Sequence, residues 1–270
     1  MPPLALLAVA SQFADLEGAR LHYVDSGGSG AAIVFLHAAT GSAESFIHQT
    51  DAFAAAGYRV IAYDRRGTGK TTVKPDAPAS TAADDLDRLT THLGIARFHI
   101  VGTAAGGGVA VDYALSFPAK LRSLTIANSL GGITDPSFAE LGRLLRPQQF
   151  ATLPPDFREL SPSYRVANPA GVERWLAIEK AAHQAIRAPA QKPRNAVTFA
   201  SLESIRVPTL LITGESDFYM PPAVLRMFKA HMPAADTLIL PDVGHSAYWE
   251  QPELFNRAVL AFIGRHSRRP

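Results

Sequence analysis

The sequence predicts an α/β fold, with a mostly parallel sheet covered by helices on both faces and a helical insertion late in the chain. Three observations predict it. Short continuous apolar runs stop at turn residues, as strands buried on both faces require. Helical patterns separate these runs, so strand and helix alternate. From about residue 130 to 205 the alternation stops, and short helical pieces punctuated by proline replace it. The expected organisation is a core formed by residues 1–129 and 206–270, with 130–205 as a helical cap inserted into it.

Each element follows from local pattern. Residues 21–25 alternate and precede a Ser/Gly-rich loop, which predicts the second strand of an N-terminal hairpin. Residues 31–36 and 58–63 are the next strands, with a helix over 43–56 between them. Thr81 with Asp84 forms a capping pair, Leu86, Leu89 and Leu93 make one apolar stripe, and Gly94 stops that helix. A strand from Phe98 runs into a small-residue turn and an Ala/Val-rich helix that Pro118 ends. Residues 121–127 form another strand. Within the insertion, 138–145 and 172–179 have helical spacing. Strands resume at 209–213 and 237–240, and a final helix spans 252–266.

Composition narrows the function classes. At 270 residues and 47% hydrophobic, the chain can bury a sizeable core. A net charge of +2 with interspersed signs gives no basic stripe for nucleic acid. The absence of cysteine excludes a disulfide framework and a thiolate metal site, and the histidines lack metal-ligand spacing. Residues 1–10 are apolar, but they lack a basic leading segment and are too short to span a bilayer; a plain arm is expected. The expected setting is cytoplasmic, as a monomer or homodimer acting on a small molecule, with no cofactor, nucleic acid or membrane.

The chemistry centres on Gly102-Thr103-Ala104-Ala105-Gly106. Strand, sharp turn and helix with Gly at both ends match G-x-S-x-G, where a strained turn pushes a nucleophile into the open. The central position holds Ala104. Two later strand ends carry Gly214-Glu215-Ser216-Asp217 and Gly244-His245, giving the order nucleophile, acid, base. A hydroxyl nucleophile needs an imidazole to take its proton and a carboxylate to orient that imidazole. Glu215 and Asp242 are alternatives to Asp217 as the acid. Parallel strands expose their C-terminal ends along one edge, where distant residues meet. The amide of Ala105, at a helix N-terminus, is one expected oxyanion donor, and the other should come from the loop after residue 36. Two other motifs fail. Ala104 replaces the second glycine of a dinucleotide fingerprint, and Asp64 replaces the first glycine of a phosphate loop ending Gly69-Lys70-Thr71.

Taken together, the His37 loop, Asp64-x-Arg66-Gly67-x-Gly69, the elbow, Gly214-x-x-Asp217 and Gly244-His245 resemble the α/β-hydrolase superfamily over nearly the whole chain. The likeness is greatest to its small capped branch of esterases, enol-lactone hydrolases and carbon–carbon bond hydrolases. The resemblance implies Asp217 as triad acid, His245 as base and Ala39 as second oxyanion donor, with His37 buttressing its loop. Ala38 departs from the glycine usual after that histidine, and Thr103 from the His, Asn or Tyr usual before the nucleophile. Trp175 and His183 in the insertion, and Phe218, Tyr219 and Met220 beside the acid, are candidate pocket residues. Arg143, Arg146, Arg158, Arg165 and Arg174 read as solvated helix faces.

Position 104 leaves three readings open. The first is a Ser-His-Asp hydrolase inactivated by a Ser-to-Ala change, as in an engineered substrate-trapping variant. The second is a different chemistry on the same fold: an aspartate nucleophile, carbon–carbon bond hydrolysis, or a cofactor-free oxygenase or peroxidase. The third is a natural, non-catalytic ligand-binding member.

Overall fold

A computed structural model describes residues 11–146, 148–183, 188 and 190–267. The apolar opening arm at 1–10 and the tail arginines Arg268 and Arg269 lie outside the described residues.

The strands are β1 (Ser11–Leu16), β2 (Ala19–Asp25), β3 (Ala32–Leu36), β4 (Arg59–Tyr63), β5 (Thr72–Val73), β6 (Phe98–Thr103), β7 (Leu121–Ala127), β8 (Thr209–Gly214) and β9 (Asp236–Leu240). Their order across the sheet is β1-β2-β4-β3-β6-β7-β8-β9, with the two-residue β5 paired to β2. The first hairpin runs antiparallel to its neighbours, and every pairing from β4 across to β9 is parallel. From β3 the chain steps to β4 on one side and later to β6 on the other. That reversal is a topological switch point, and such sheets bind ligands outside the strand ends there.

The helices of the core are α1 (Ile47–Ala55), α2 (Ala82–His92) and α3 (Ala105–Ser116). Between β7 and β8 the described chain is helical: α4 (Pro136–Leu145), α5 (Pro155–Glu159), α6 (Pro162–Ala167), α7 (Pro169–His183) and α8 (Phe199–Glu203). After β8 come α9 (Pro222–His231), α10 (Ala247–Glu250) and α11 (Pro252–His266). The capping pair on α2 is formed: the Thr81 hydroxyl accepts the Asp84 N–H at 3.0 Å. Neighbouring residues of β6 feed opposite faces, as a strand's period of two requires. Ile100 packs with Leu86 and Leu89 of α2 and Phe228 of α9, while Val101 packs with Phe53 of α1 and Phe255 and Phe262 of α11.

The loop after β4 is a structural turn. Its Asp64 carboxylate accepts the backbone N–H of Lys70 and of Ala43, each at 2.7 Å, so these turn amides are taken by a carboxylate. Asp64 also pairs with buried His22 at 2.7 Å, and His22 Nε2 lies 2.6 Å from the Ser11 hydroxyl. This repeats the order of a triad, but its carboxylate is committed to pinning the loop. Nearby, Arg66 and Asp85 form a bidentate ion pair at 2.7 and 2.9 Å with both side chains buried. Gln191 donates to the same carboxylate at 2.7 Å and ties the 130–205 segment to α2. No helix among the described residues is long and apolar enough to cross a membrane.

Candidate active site

The turn between β6 and α3 has the geometry of a nucleophile mount. Ala104 sits at φ 48°, ψ −117°, a backbone region that costs a non-glycine residue of order 1–3 kcal/mol. The flanking glycines make it possible. A Cβ on Gly102 would lie 2.4 Å from the Gly106 carbonyl oxygen, and one on Gly106 would lie 2.2 Å from that of Leu36. The turn is held from outside as well: the Ala104 N–H donates to Ala127 O at 3.0 Å, and the Ser129 hydroxyl donates to the Ala104 carbonyl at 2.5 Å. Ala105 opens α3, where first-turn amides have no carbonyl partner within the helix.

At the end of β8, Asp217 is buried beneath His245. Its two carboxylate oxygens each lie 2.9 Å from His245 Nδ1. The Tyr219 and Met220 amides donate to Asp217 Oδ1 at 2.8 and 3.0 Å, and Asn128 Nδ2 donates to Oδ2 at 3.0 Å. Burial works to raise this carboxyl, but the His245 charge and these donors outweigh it and leave it below the usual range. Burial works against the His245 cation too, yet the Asp217 and Glu159 carboxylates more than offset it and hold the imidazole up at about 9. With Nδ1 taken by Asp217, Nε2 is the nitrogen left for proton transfer. Glu215 and Asp242 are exposed, so Asp217 is the acid that reaches the imidazole.

A cavity of about 450 Å³ joins these parts. Ala39, Ala104, Ala105, Asn128, Glu159, Tyr219 and His245 are among its lining residues. A second, smaller cavity of about 220 Å³ shares Leu130 and Tyr219 with it and is walled mainly by apolar side chains of α4 and by Val224. Below the Ala39 loop, His37 is fully buried. Burial, aided by the Arg65 charge, lowers its pKa to about 3, so it stands neutral. It lies 2.6 Å from Ala38 O through Nδ1, accepts the Arg65 N–H at Nε2, and so braces the loop.

An alpha/beta hydrolase family model matches residues 33–258, most of the chain. The chain belongs to the alpha/beta hydrolase family. A relative from Burkholderia vietnamiensis, named 2-hydroxy-6-oxononadienedioate/2-hydroxy-6-oxononatrienedioate hydrolase, is 31% identical, with 91% of each chain covered. Among solved structures, a thermophilic esterase from Thermogutta terrifontis superposes with a TM-score of 0.78 at 23% identity, covering 95% of this chain and 99% of its own. The enol-lactonase from Burkholderia xenovorans LB400 gives 0.72 at 22%, covering 94% and 100%. At those identities the structural likeness is one of fold.

In this hydrolase fold Ala104 of the elbow, His245, Ala39, Ala105 and Tyr219 line one cavity, with Asp217 buried behind His245, and the Tyr219 ring centre lies 4.3 Å from that of His245. The other pocket candidates lie elsewhere. Trp175 is core, buried with Leu160, Tyr248 and Trp249, because its indole completes the apolar cluster beneath α7. His183 ends α7 with its side chain 55% exposed, next to Glu179. Phe218 is 44% exposed and packs on Phe150, outside the cavity lining. Met220 is buried core, its amide held by Asp217. Two lining residues have no sequence signature: Asn128, which orients Asp217, and Glu159, whose backbone carbonyl accepts the N–H of His245 at 2.8 Å and of Ser246 at 3.1 Å. Neither sits in a recognisable motif. An acid at the end of a short Pro-capped helix reads as surface.

Proposed function

We propose that this cavity is the site of a Ser-His-Asp hydrolase for a small, partly apolar ester, lactone or related carbonyl compound, lacking its nucleophilic oxygen. The observation that carries the reading is Ala104 at φ 48°, ψ −117°, lining the same cavity as an Asp217-buttressed His245. Backbone strain of this kind at a non-glycine residue is characteristic of turns that present a functional side chain. It fits a site built for a nucleophile and now short of one atom, so the chain binds substrate without cleaving it, as a substrate-trapping form does. Helices of residues 130–205 act as the cap that excludes polymers.

With a serine at this position, His245 Nε2 takes the hydroxyl proton, the oxygen attacks the carbonyl, and the amides of Ala39 and Ala105 receive the oxyanion. His245 then protonates the leaving group and afterwards activates water. The relative named as a 2-hydroxy-6-oxo dioate hydrolase supports a second reading, carbon–carbon bond hydrolysis with the same residues.

Steady-state turnover by Ala104→Ser on matched esters, lactones and vinylogous diketones tests both readings. Hydrolysis should appear, gaining several orders of magnitude, since loss of a triad nucleophile costs roughly a million-fold. The best substrate class separates ester or lactone cleavage from carbon–carbon cleavage. Silence across the whole panel, or greater activity in Ala104→Asp, would overturn the serine reading.

A further inference from the structure

The smaller cavity beside the candidate site is apolar with one exception. Leu130, Ile133, Phe138, Leu141 and Val224 are among its wall residues, and so is Arg146, at the C-terminal end of α4. The sequence reads Arg146 as part of a solvated helix face, but the structure turns it inward, half-buried. A Cβ on Gly142 would lie 2.7 Å from Arg146 Nη2, and the guanidinium carbon lies 5.6 Å from the centre of the Tyr219 ring. Gly142 and Tyr219 both line the same cavity, so the charged head, and not the stem alone, stands at its wall.

That head has no counter-ion. Among the described residues Arg146 makes no ion pair and no hydrogen bond, and it rests on the face of Tyr219. The acids nearby are taken. Glu140 pairs with Arg143, Glu159 interacts with Tyr219 and with the Arg158 and His245 charges, and Asp217 holds His245. The described lining of the small cavity contains no Asp or Glu. An arginine can complement the α4 dipole from solvent, and that role does not require its head to lie against Gly142 and Tyr219. A planar fork of N–H donors at the wall of an apolar cavity suits a carboxylate, which it grips through two parallel bonds. Tyr219 ties this wall to the chemistry: it lines both cavities, and its ring centre lies 4.3 Å from that of His245. One ring therefore separates the base from the guanidinium. At about 220 Å³ the small cavity is below the size of a whole-ligand pocket, so it suits one arm of a molecule whose reacting carbonyl lies at the elbow.

Resting on the hydrolase reading of the larger cavity, we propose that the small cavity is a subsite for a short apolar arm ending in a carboxylate, and that Arg146 is the residue that selects it. The substrate class is then a carboxylate-bearing ester or lactone, such as a half-ester of a dicarboxylic acid or an ester of an ω-hydroxy acid. Arg146 touches the anion, away from the reacting bond.

The probes are two matched pairs. Monoethyl adipate with ethyl hexanoate places the carboxylate on the acyl arm, and 6-acetoxyhexanoate with hexyl acetate places it on the alcohol arm. NMR shift titration of the unmutated chain should find at least one anion binding about tenfold or more tighter than its neutral mate, as expected for hydrogen bonds to a charged group. The margin should shrink as salt is raised. Arg146→Gln removes the charge and keeps a polar head, so it should erase the margin and leave the neutral ester's affinity in place. Arg143→Gln, on the same helix but paired with Glu140, should keep the margin. Anions that bind no tighter than their neutral mates on the unmutated chain would overturn the proposal even if the Arg146 variant failed to fold. So would a margin that survives Arg146→Gln, or one that falls equally in Arg143→Gln. The two readings fail separately. If Ala104→Ser cleaves anionic and neutral mates with one kcat/KM, the hydrolytic reading stands and selection by Arg146 falls. If it cleaves none of the four while the affinity margin and its loss in Arg146→Gln hold, the subsite stands and the hydrolytic reading falls.

Discussion

The Asp217→Asn substitution isolates what holds His245 in its state. The imidazole and carboxylate are 2.9 Å apart and both buried. At an effective dielectric of about 20, that separation corresponds to about 6 kcal/mol of attraction between full charges. Burial opposes it. The balance carries His245 from 6.5 to about 9, equivalent to roughly 3 kcal/mol. Asparagine keeps an acceptor for the Tyr219 and Met220 amides and removes the largest charge favouring the cation, leaving burial opposed only by Glu159 and Glu250, so His245 should titrate clearly below about 9. The assay is an NMR titration of the His245 ring proton, assigned with a His245→Gln control. Stability gives an independent reading. A pKa raised on folding stabilises fully below the unfolded value of about 6.5, and that contribution is lost as pH rises through about 9. Urea denaturation should therefore show roughly 3 kcal/mol lost across this window in the parent and a clearly smaller loss in Asp217→Asn. A His245 titration that stays in place on loss of the Asp217 charge would refute the reasoning.

Further outcomes follow from other contacts. Gly106→Ala places a methyl 2.2 Å from Leu36 O and 2.8 Å from His37 O, both backbone atoms; it should cost about 1–3 kcal/mol or more by urea denaturation, and a near-neutral result would contradict the packing. Trp175→Ala should lose about 3–5 kcal/mol, while His183→Ala, at an exposed helix end, should change stability by under about 0.5 kcal/mol and leave ligand binding intact. Asp85→Ala strands the buried Arg66 guanidinium and should cost about 3–5 kcal/mol, with little of it recovered in high salt. In Ala104→Ser, kcat/KM should climb with pH through about 9, because the base must be neutral, and Glu159→Gln should move that limb toward lower pH.

The sheet was legible because its strands are buried on both faces and therefore continuous in sequence, as 31–36 and 98–101 show. The elbow was legible because backbone approach at Gly102 and Gly106 tolerates no Cβ. What lay hidden depends on contacts far apart in sequence. β5 is two residues long and exists only because β2 pairs with it. Glu159 reaches the site through its backbone bonds to His245 and Ser246, more than eighty positions later, so nothing adjacent to it marks the role. The sequence leaves Trp175 open between pocket and packing within the cap, because an aromatic on a cap helix has the same local sequence whether it faces ligand or core. Burial with Tyr248 and Trp249 decides for the core.

The central claim is that one oxygen at position 104 separates this chain from a working acyl-transfer site. The most direct measurement is the intact mass of Ala104→Ser after exposure to a fluorophosphonate. One adduct per chain should form, at a rate that rises as His245 loses its proton, and both the unmutated chain and an Ala104→Ser/His245→Gln double variant should stay unlabelled. No adduct in Ala104→Ser, or labelling that survives loss of His245, would contradict the account.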